Sequence, residues 1–135
     1  MGVRLTITNL NDVLAGFDKT EDQFEEAVQY AITLTGLAIE RQAKKNASGR
    51  PGPNVQTGNL RRSITTNAIP KGFEGHYSVE VRSTMVYSRA VEFGHPYWPP
   101  GVKYPYLGPA AQRLSSDGTL NRVFTTNLAI RLRGA

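Results

Sequence analysis

Between about Asp22 and Lys45, apolar residues return every three or four positions, at Phe24, Ala27, Val28, Ala31, Leu34, Ala38 and Ile39. That spacing places them on one stripe of a helix of about six turns. Thr20 stands where an N-cap would, acids crowd the first turn, and Arg41, Lys44 and Lys45 occupy the last. This order suits the helix macrodipole at both ends. The helix cannot pass Asn46, because Ser48-Gly49-Arg50-Pro51-Gly52-Pro53-Asn54 holds two prolines and two glycines that break helical geometry. The sequence therefore predicts a helix over 21–46 and a flexible loop over 47–57.

Around this helix the chain reads as short strands and a second helical region. Val3, Leu5 and Ile7 alternate with polar residues, the period of a half-buried strand over 3–8. Asn9 to Phe17 allows one helical turn closed by Gly16. Strands are expected within 62–93: Ser63 to Ile69 and Tyr77 to Arg82 form a hairpin across the turn-rich Pro70 to Gly75. In the second of these Tyr77, Val79 and Val81 face one way and Ser78, Glu80 and Arg82 the other. Val86 to Phe93 suits a third strand, or a short helix running into one. A proline- and aromatic-rich loop spans 94–106. A helical region follows over 107–133, with Leu120, Val123, Phe124 and Leu128 on its apolar side and Asp117-Gly118 interrupting it. No internal repeat is visible, and 135 residues predict a single domain.

Charge is segregated along the chain. Residues 1–40 carry two bases against seven acids, whereas residues 41–73 carry seven bases and no acid. A stretch this one-sided attracts an acidic partner, either nucleic acid or an acidic protein surface, or simply forms a solvated face. An acidic first third beside a basic middle also suits head-to-tail contact between copies. Cysteine is absent, which excludes disulfides and thiolate chemistry. No stretch reaches the roughly 18 apolar residues of a bilayer span, and the N-terminus lacks the apolar run of a signal peptide. A cytosolic protein without membrane contact is expected.

Three ordered segments carry the functional signal: Thr57-Gly58-Asn59-Leu60-Arg61-Arg62-Ser63-Ile64, Tyr87-Ser88-Arg89-Ala90-Val91-Glu92-Phe93-Gly94 and Tyr104-Pro105-Tyr106-Leu107-Gly108-Pro109-Ala110. Gly58 permits a positive-φ turn into the next strand, and Arg61 and Arg62 can reach phosphates or carboxylates. Glu92 near His95 is the one grouping that resembles acid–base chemistry. With two histidines in the chain and no second acid beside Glu92, an arginine-paired carboxylate is the better reading. Trp98, Tyr104 and Tyr106, with Tyr97, lie among four prolines. Such rigid aromatic loops suit interface anchors or core packing more than base stacking. Arg50, Thr57, Gly58, Leu60, Arg61, Arg62, Tyr87, Glu92, Phe93, Trp98, Tyr104 and Tyr106 are the interface candidates. No catalytic, cofactor-binding or metal-binding residue is expected.

As an ordered set, the three segments resemble those of the small neck or tail-completion proteins of long-tailed bacteriophages, also labelled tail-component or head–tail joining proteins. The family pattern runs "TGxLRxSI", "YAxxVEFG" and "PFLxPA". Ser88 replaces the usual alanine of the second segment and Tyr106 the usual phenylalanine of the third. The loop after Gly94 is longer and richer in proline than the family's, and Gly118 breaks the last helix. The resemblance implies an α+β fold, a small antiparallel sheet packed by one long N-terminal helix and a C-terminal helix. It also implies a non-catalytic virion protein, assembled in the host cytoplasm. Copies would form a ring joining the head connector or head-completion protein to the tail terminator or tail tube protein. That ring would leave a channel for genomic DNA, with non-specific DNA contact. A tail terminator of the same particle, or a basic nucleic-acid-binding protein, are the alternatives. On this reading residues 47–57 and 94–106 are docking segments, and Arg61, Arg62 and Glu92 hold subunits or partners together.

Overall fold

The computed structural model describes residues 2–7, 21–49, 52, 58–69 and 77–134. The expected turn over 9–17, the Thr20 cap, Arg50, Thr57, the 70–75 turn and His76 lie outside these residues. The described chain is α+β. Strand β1 (Gly2–Ile7) precedes the long helix α1 (Glu21–Asn46) and a helical turn, α2 (Asn59–Ser63). Strands β2 (Ile64–Ile69) and β3 (Tyr77–Ser83) follow, and then the short helix α3 (Ser88–Phe93). Helices α4 (Leu107–Ser116) and α5 (Thr119–Gly134) close the chain.

The three strands form one antiparallel sheet in the order β1-β3-β2. Val3 lies opposite Val81 and Leu5 opposite Val79, while Thr66 and Ala68 meet Val81 and Val79 from the other side. One face thus gathers the apolar residues of β1 and β3. The opposite face is polar: Arg4 and Arg82 both reach Glu80, and the Thr6 and Ser78 hydroxyls are 3.0 Å apart. The alternation expected in β3 holds, with Tyr77, Val79 and Val81 buried.

Helix α1 lies between this sheet and helices α4 and α5. Being covered on two sides, it buries more than one stripe. Phe24, Ala27, Val28, Ala31 and Ile39 are buried as expected, Leu34 and Ala38 only partly, and Ile32, Thr35, Gly36 and Ala43 join them. Two core clusters result. Phe24, Val28, Ile32, Tyr77, Val79, Leu128 and Leu132 belong to one. Ile39, Ala43, Ile64, Val81, Tyr106, Leu107, Ala110 and Leu114 belong to the other. Leu5 packs against both.

One segment expected as strand is helical, and at 86–93 the short-helix alternative holds, though no strand follows it among the described residues. Residues 62 and 63 belong to α2, and residues 88–93 form α3 rather than a third strand. In α3 the buried side chains are Ser88 and Glu92, four apart, which is helical spacing rather than the alternate burial of a strand. The break at Asp117-Gly118 is where it was expected. Gly118 has φ of 80°, and the Asp117 carboxylate accepts the Thr119 N–H at 2.9 Å, starting α5. That bond is part of what holds the Asp117 carboxyl below its usual range, after the Thr119 hydroxyl. At the outer surface Arg131 of α5 pairs with Glu26 of α1 and lies 5.0 Å over the Tyr30 ring. The hydrogen bond from Arg131 lowers the Glu26 carboxyl and raises the guanidinium in turn.

Gly36 sets how closely α1 approaches the sheet. A Cβ there would stand 2.8 Å from both Thr66 Cγ2 and Val79 Cγ2. Both neighbours are β-branched and stiff at χ1, so the helix would have to lift. Gly36→Ala gains about 1 kcal/mol of helix propensity but overpacks a site where such strain costs about 1–3 kcal/mol. We expect a net loss of roughly 1 kcal/mol in urea unfolding, despite the better helix former.

Candidate functional site

Glu92 projects from the buried side of α3 toward the start of α4 and is 3% exposed. Its Oε2 accepts the backbone N–H groups of Tyr106 at 2.7 Å and Leu107 at 3.0 Å, and its Oε1 accepts that of Gly108 at 2.7 Å. These amides open α4, where no intrahelical partner exists and the helix dipole favours an anion. Helix α4 has no cap from its own Tyr106 side chain; a carboxylate from another helix supplies it. Among the described residues no arginine of the same chain pairs with Glu92, whose partners are the three backbone amides instead. Both oxygens are committed inside the chain, so this side chain is not a surface interface residue.

The same contact closes the loop over 94–106. The Tyr104 N–H donates to the Val91 carbonyl at 2.8 Å, beside the Glu92 bonds. At the other end of the loop Gly94 has φ of 94°, and a Cβ there would meet the Val102 carbonyl oxygen at 3.0 Å. Only glycine turns the chain there without strain. Within the loop, Trp98 N–H donates to the His95 carbonyl, Tyr97 N–H to His95 Nδ1, and Val102 N–H to the Pro99 carbonyl. The half-buried Trp98 ring lies 5.9 Å from His95 and 6.4 Å from Tyr104. His95 is a loop residue here, bonded locally.

Tyr106 is fully buried, which is the core-packing alternative offered for these aromatics. Burial pushes its phenol above the usual range, and the Ser83 and Ser88 hydroxyls temper that shift. Neither reaches the phenol oxygen with hydrogen-bond geometry. Ser83 instead bonds Ser63 at 2.6 Å. The three sequence segments therefore converge: Ile64 of the first, Val91 of the second and Tyr106, Leu107 and Ala110 of the third pack in one cluster.

Large apolar side chains stand exposed around α3, with the exposed Arg89 among them. Val86 is 98% exposed, Phe93 62% and Tyr87 41%, while Tyr97 in the loop is 92% exposed. Val86, Ala90 and Phe93 recur at helical spacing, away from the buried Ser88 and Glu92. So many large apolar groups within twelve residues mark a contact surface. Val86 was not among the sequence candidates, and Tyr97 entered only as part of the 94–106 docking segment and its aromatic group.

The first segment lies near the C-terminal end of α1. Gly58 has the expected positive φ, 79°, and half-buried Leu60 packs on the second cluster. Arg61 and Arg62 are exposed. Arg61 donates to Ser48 Oγ at 3.2 Å and Arg62 to Asn59 Oδ1 at 2.7 Å.

A family model described as "Bacteriophage HK97-gp10, putative tail-component" matches residues 11–94, well over half of the 135 residues. The chain belongs to the HK97-gp10-like family. It is a structural tail component of a phage virion. No curated protein and no solved structure matches it. The HK97-gp10-like match spans α1 through α3 and ends at Gly94; α4, which Glu92 caps, lies beyond it. No helix among the described residues is long and apolar enough to cross a membrane.

Two substitutions separate the cap from the packing around it. Glu92→Gln keeps the volume but offers one oxygen where three N–H groups converge, and its amide nitrogen faces a donor. Charge-assisted bonds of this kind contribute about 1.5–3 kcal/mol each, so a loss on the order of 3 kcal/mol is expected in thermal or urea unfolding. Tyr106→Phe removes a buried hydroxyl that has no partner. It should leave stability unchanged or raise it by up to about 1 kcal/mol in the same assay.

Proposed function

We propose that this tail component is a neck protein, whose copies form a ring joining the head connector to the tail while leaving a channel for the genome. The observation that carries the reading is the group of exposed apolar side chains at the two ends of α3 and in the adjoining loop. Val86, Tyr87, Phe93 and Tyr97 stand exposed on a segment anchored by the Glu92 bonds and by Tyr104. Exposed aromatic anchors on a pre-organised frame lower the ordering cost of association. Of the two expected docking segments, 94–106 adjoins this surface, and most of 47–57 lies outside the described residues. Under this reading the chain has no catalytic role and needs no cofactor. Its assembly takes place in the host cytoplasm.

A Val86→Asp, Phe93→Asp double variant tests this, because both side chains are exposed and the fold does not need them. The subunit should keep its wild-type unfolding midpoint. In a phage lacking the native gene it should leave filled heads and tails of normal length unjoined. Over-long tail tubes would instead favour the tail-terminator role, since an uncapped tube continues to grow. Normal infectivity would overturn the reading.

A further inference from the structure

Arg41, Lys45 and Ser48 lie four and three residues apart at the C-terminal end of α1, on one side of the helix. Arg61 of α2 extends the same line, its guanidinium bonded to Ser48 Oγ at 3.2 Å. Arg41, Lys45 and Arg61 are exposed. Lys44 stands beside them, bridged to Glu40 at 3.3 Å. The helix dipole accounts for Lys44 and Lys45 in the last turn of α1, but not for Arg41, which was expected in that turn and lies before it, nor for the rest of the ridge. It favours cations only within the last turn, whereas Arg41 lies further inside and Arg61 belongs to another element.

Nor do the described acids offer an obvious counter-surface. Among the acids whose side chains are described, Glu26 pairs with Arg131, Glu40 with Lys44, and Glu80 with Arg4 and Arg82. Glu92 caps α4, Asp117 starts α5, and Glu25 has a partner of its own. These six carboxylates are thus engaged within their own chain; the spacing of the ridge is what fits a polyanion supplied from outside it.

We propose that the ridge of Arg41, Lys45 and Arg61 binds the phosphate backbone of double-stranded DNA. From Arg41 to Ser48 the helix advances about 10 Å at 1.5 Å per residue. A DNA strand carries one phosphate per roughly 3.4 Å of axis, so the ridge spans about three phosphates. Arginine suits this role through its forked donors. The contact reads no sequence, because phosphates carry none. It is independent of the ring reading, since it needs only the folded subunit.

Fluorescence anisotropy with a labelled 20-base-pair duplex tests it. Neutralising about three phosphates gives a log–log salt slope near −2.7, so affinity should fall roughly 40-fold between 50 and 200 mM salt. Arg41→Gln, Lys45→Gln, Arg61→Gln together should abolish that binding. Arg113→Gln, Arg122→Gln, Arg133→Gln together remove equal charge elsewhere and should retain it. If the ridge triple variant does not fold, each single ridge change should flatten the slope by about one. A flat salt response, no binding at 50 mM salt, or equal loss in both triple variants would overturn the proposal. So would displacement of the duplex by polyglutamate as readily as by unlabelled DNA at equal charge, which would assign the ridge to an acidic protein.

Discussion

One carboxylate, that of Glu92, determines how the second half of this chain is arranged. Helix α4 begins at Leu107 with amides that no residue of its own first turn can satisfy. Leaving them buried without partners would cost about 1–3 kcal/mol each. Glu92, on a different helix, accepts three of them at once. The bond is local in space but joins elements fourteen to sixteen residues apart. It therefore fixes the orientation of α3, closes the loop between, and seats α4 against α1. With Ser88 and Glu92 turned inward, Phe93 is left facing out together with Arg89.

The long helix gives that arrangement something to rest on. Helix α1 meets the sheet closely at Gly36, and its buried side chains join strand residues and residues of α4 and α5 in the two core clusters. Its N-terminal half is clasped by α5 through Arg131, Glu26 and Tyr30, and its C-terminal half carries the basic ridge. Assembly surface and ridge thus sit on different elements. The tail-component role and a DNA contact need not compete for the same residues.

The parts legible in the sequence are those governed by local periodicity. The stripe of α1, the alternation of β3, the positive φ at Gly58 and the break at Gly118 follow from neighbours within four residues. The antiparallel sheet and the packing helices agree with what the three-segment resemblance implied. The role of Glu92 was not legible, because its partners are backbone amides, which no residue identity announces. Its neighbours Arg89 and His95 suggested an ion pair or chemistry instead. Tyr106 looked like an anchor beside Tyr104 and Trp98, yet as the residue that opens α4 it packs in the second core cluster with Leu107 and Ala110. Helix α3 is so short that strand and helix patterns barely differ over its six residues. Burial four apart, visible only in three dimensions, decides between them. Gly36 was invisible for the same reason: its neighbours Thr66 and Val79 come from strands thirty and more residues away.

The central claim is that Glu92 holds the start of α4 as firmly as the helix interior. Residue-resolved amide hydrogen exchange on the free, wild-type subunit tests this most directly. The account predicts that the Tyr106, Leu107 and Gly108 amides exchange as slowly as those in the middle of α4, although they precede its first intrahelical hydrogen bond. Exchange of these three at the rate of an exposed loop would contradict it.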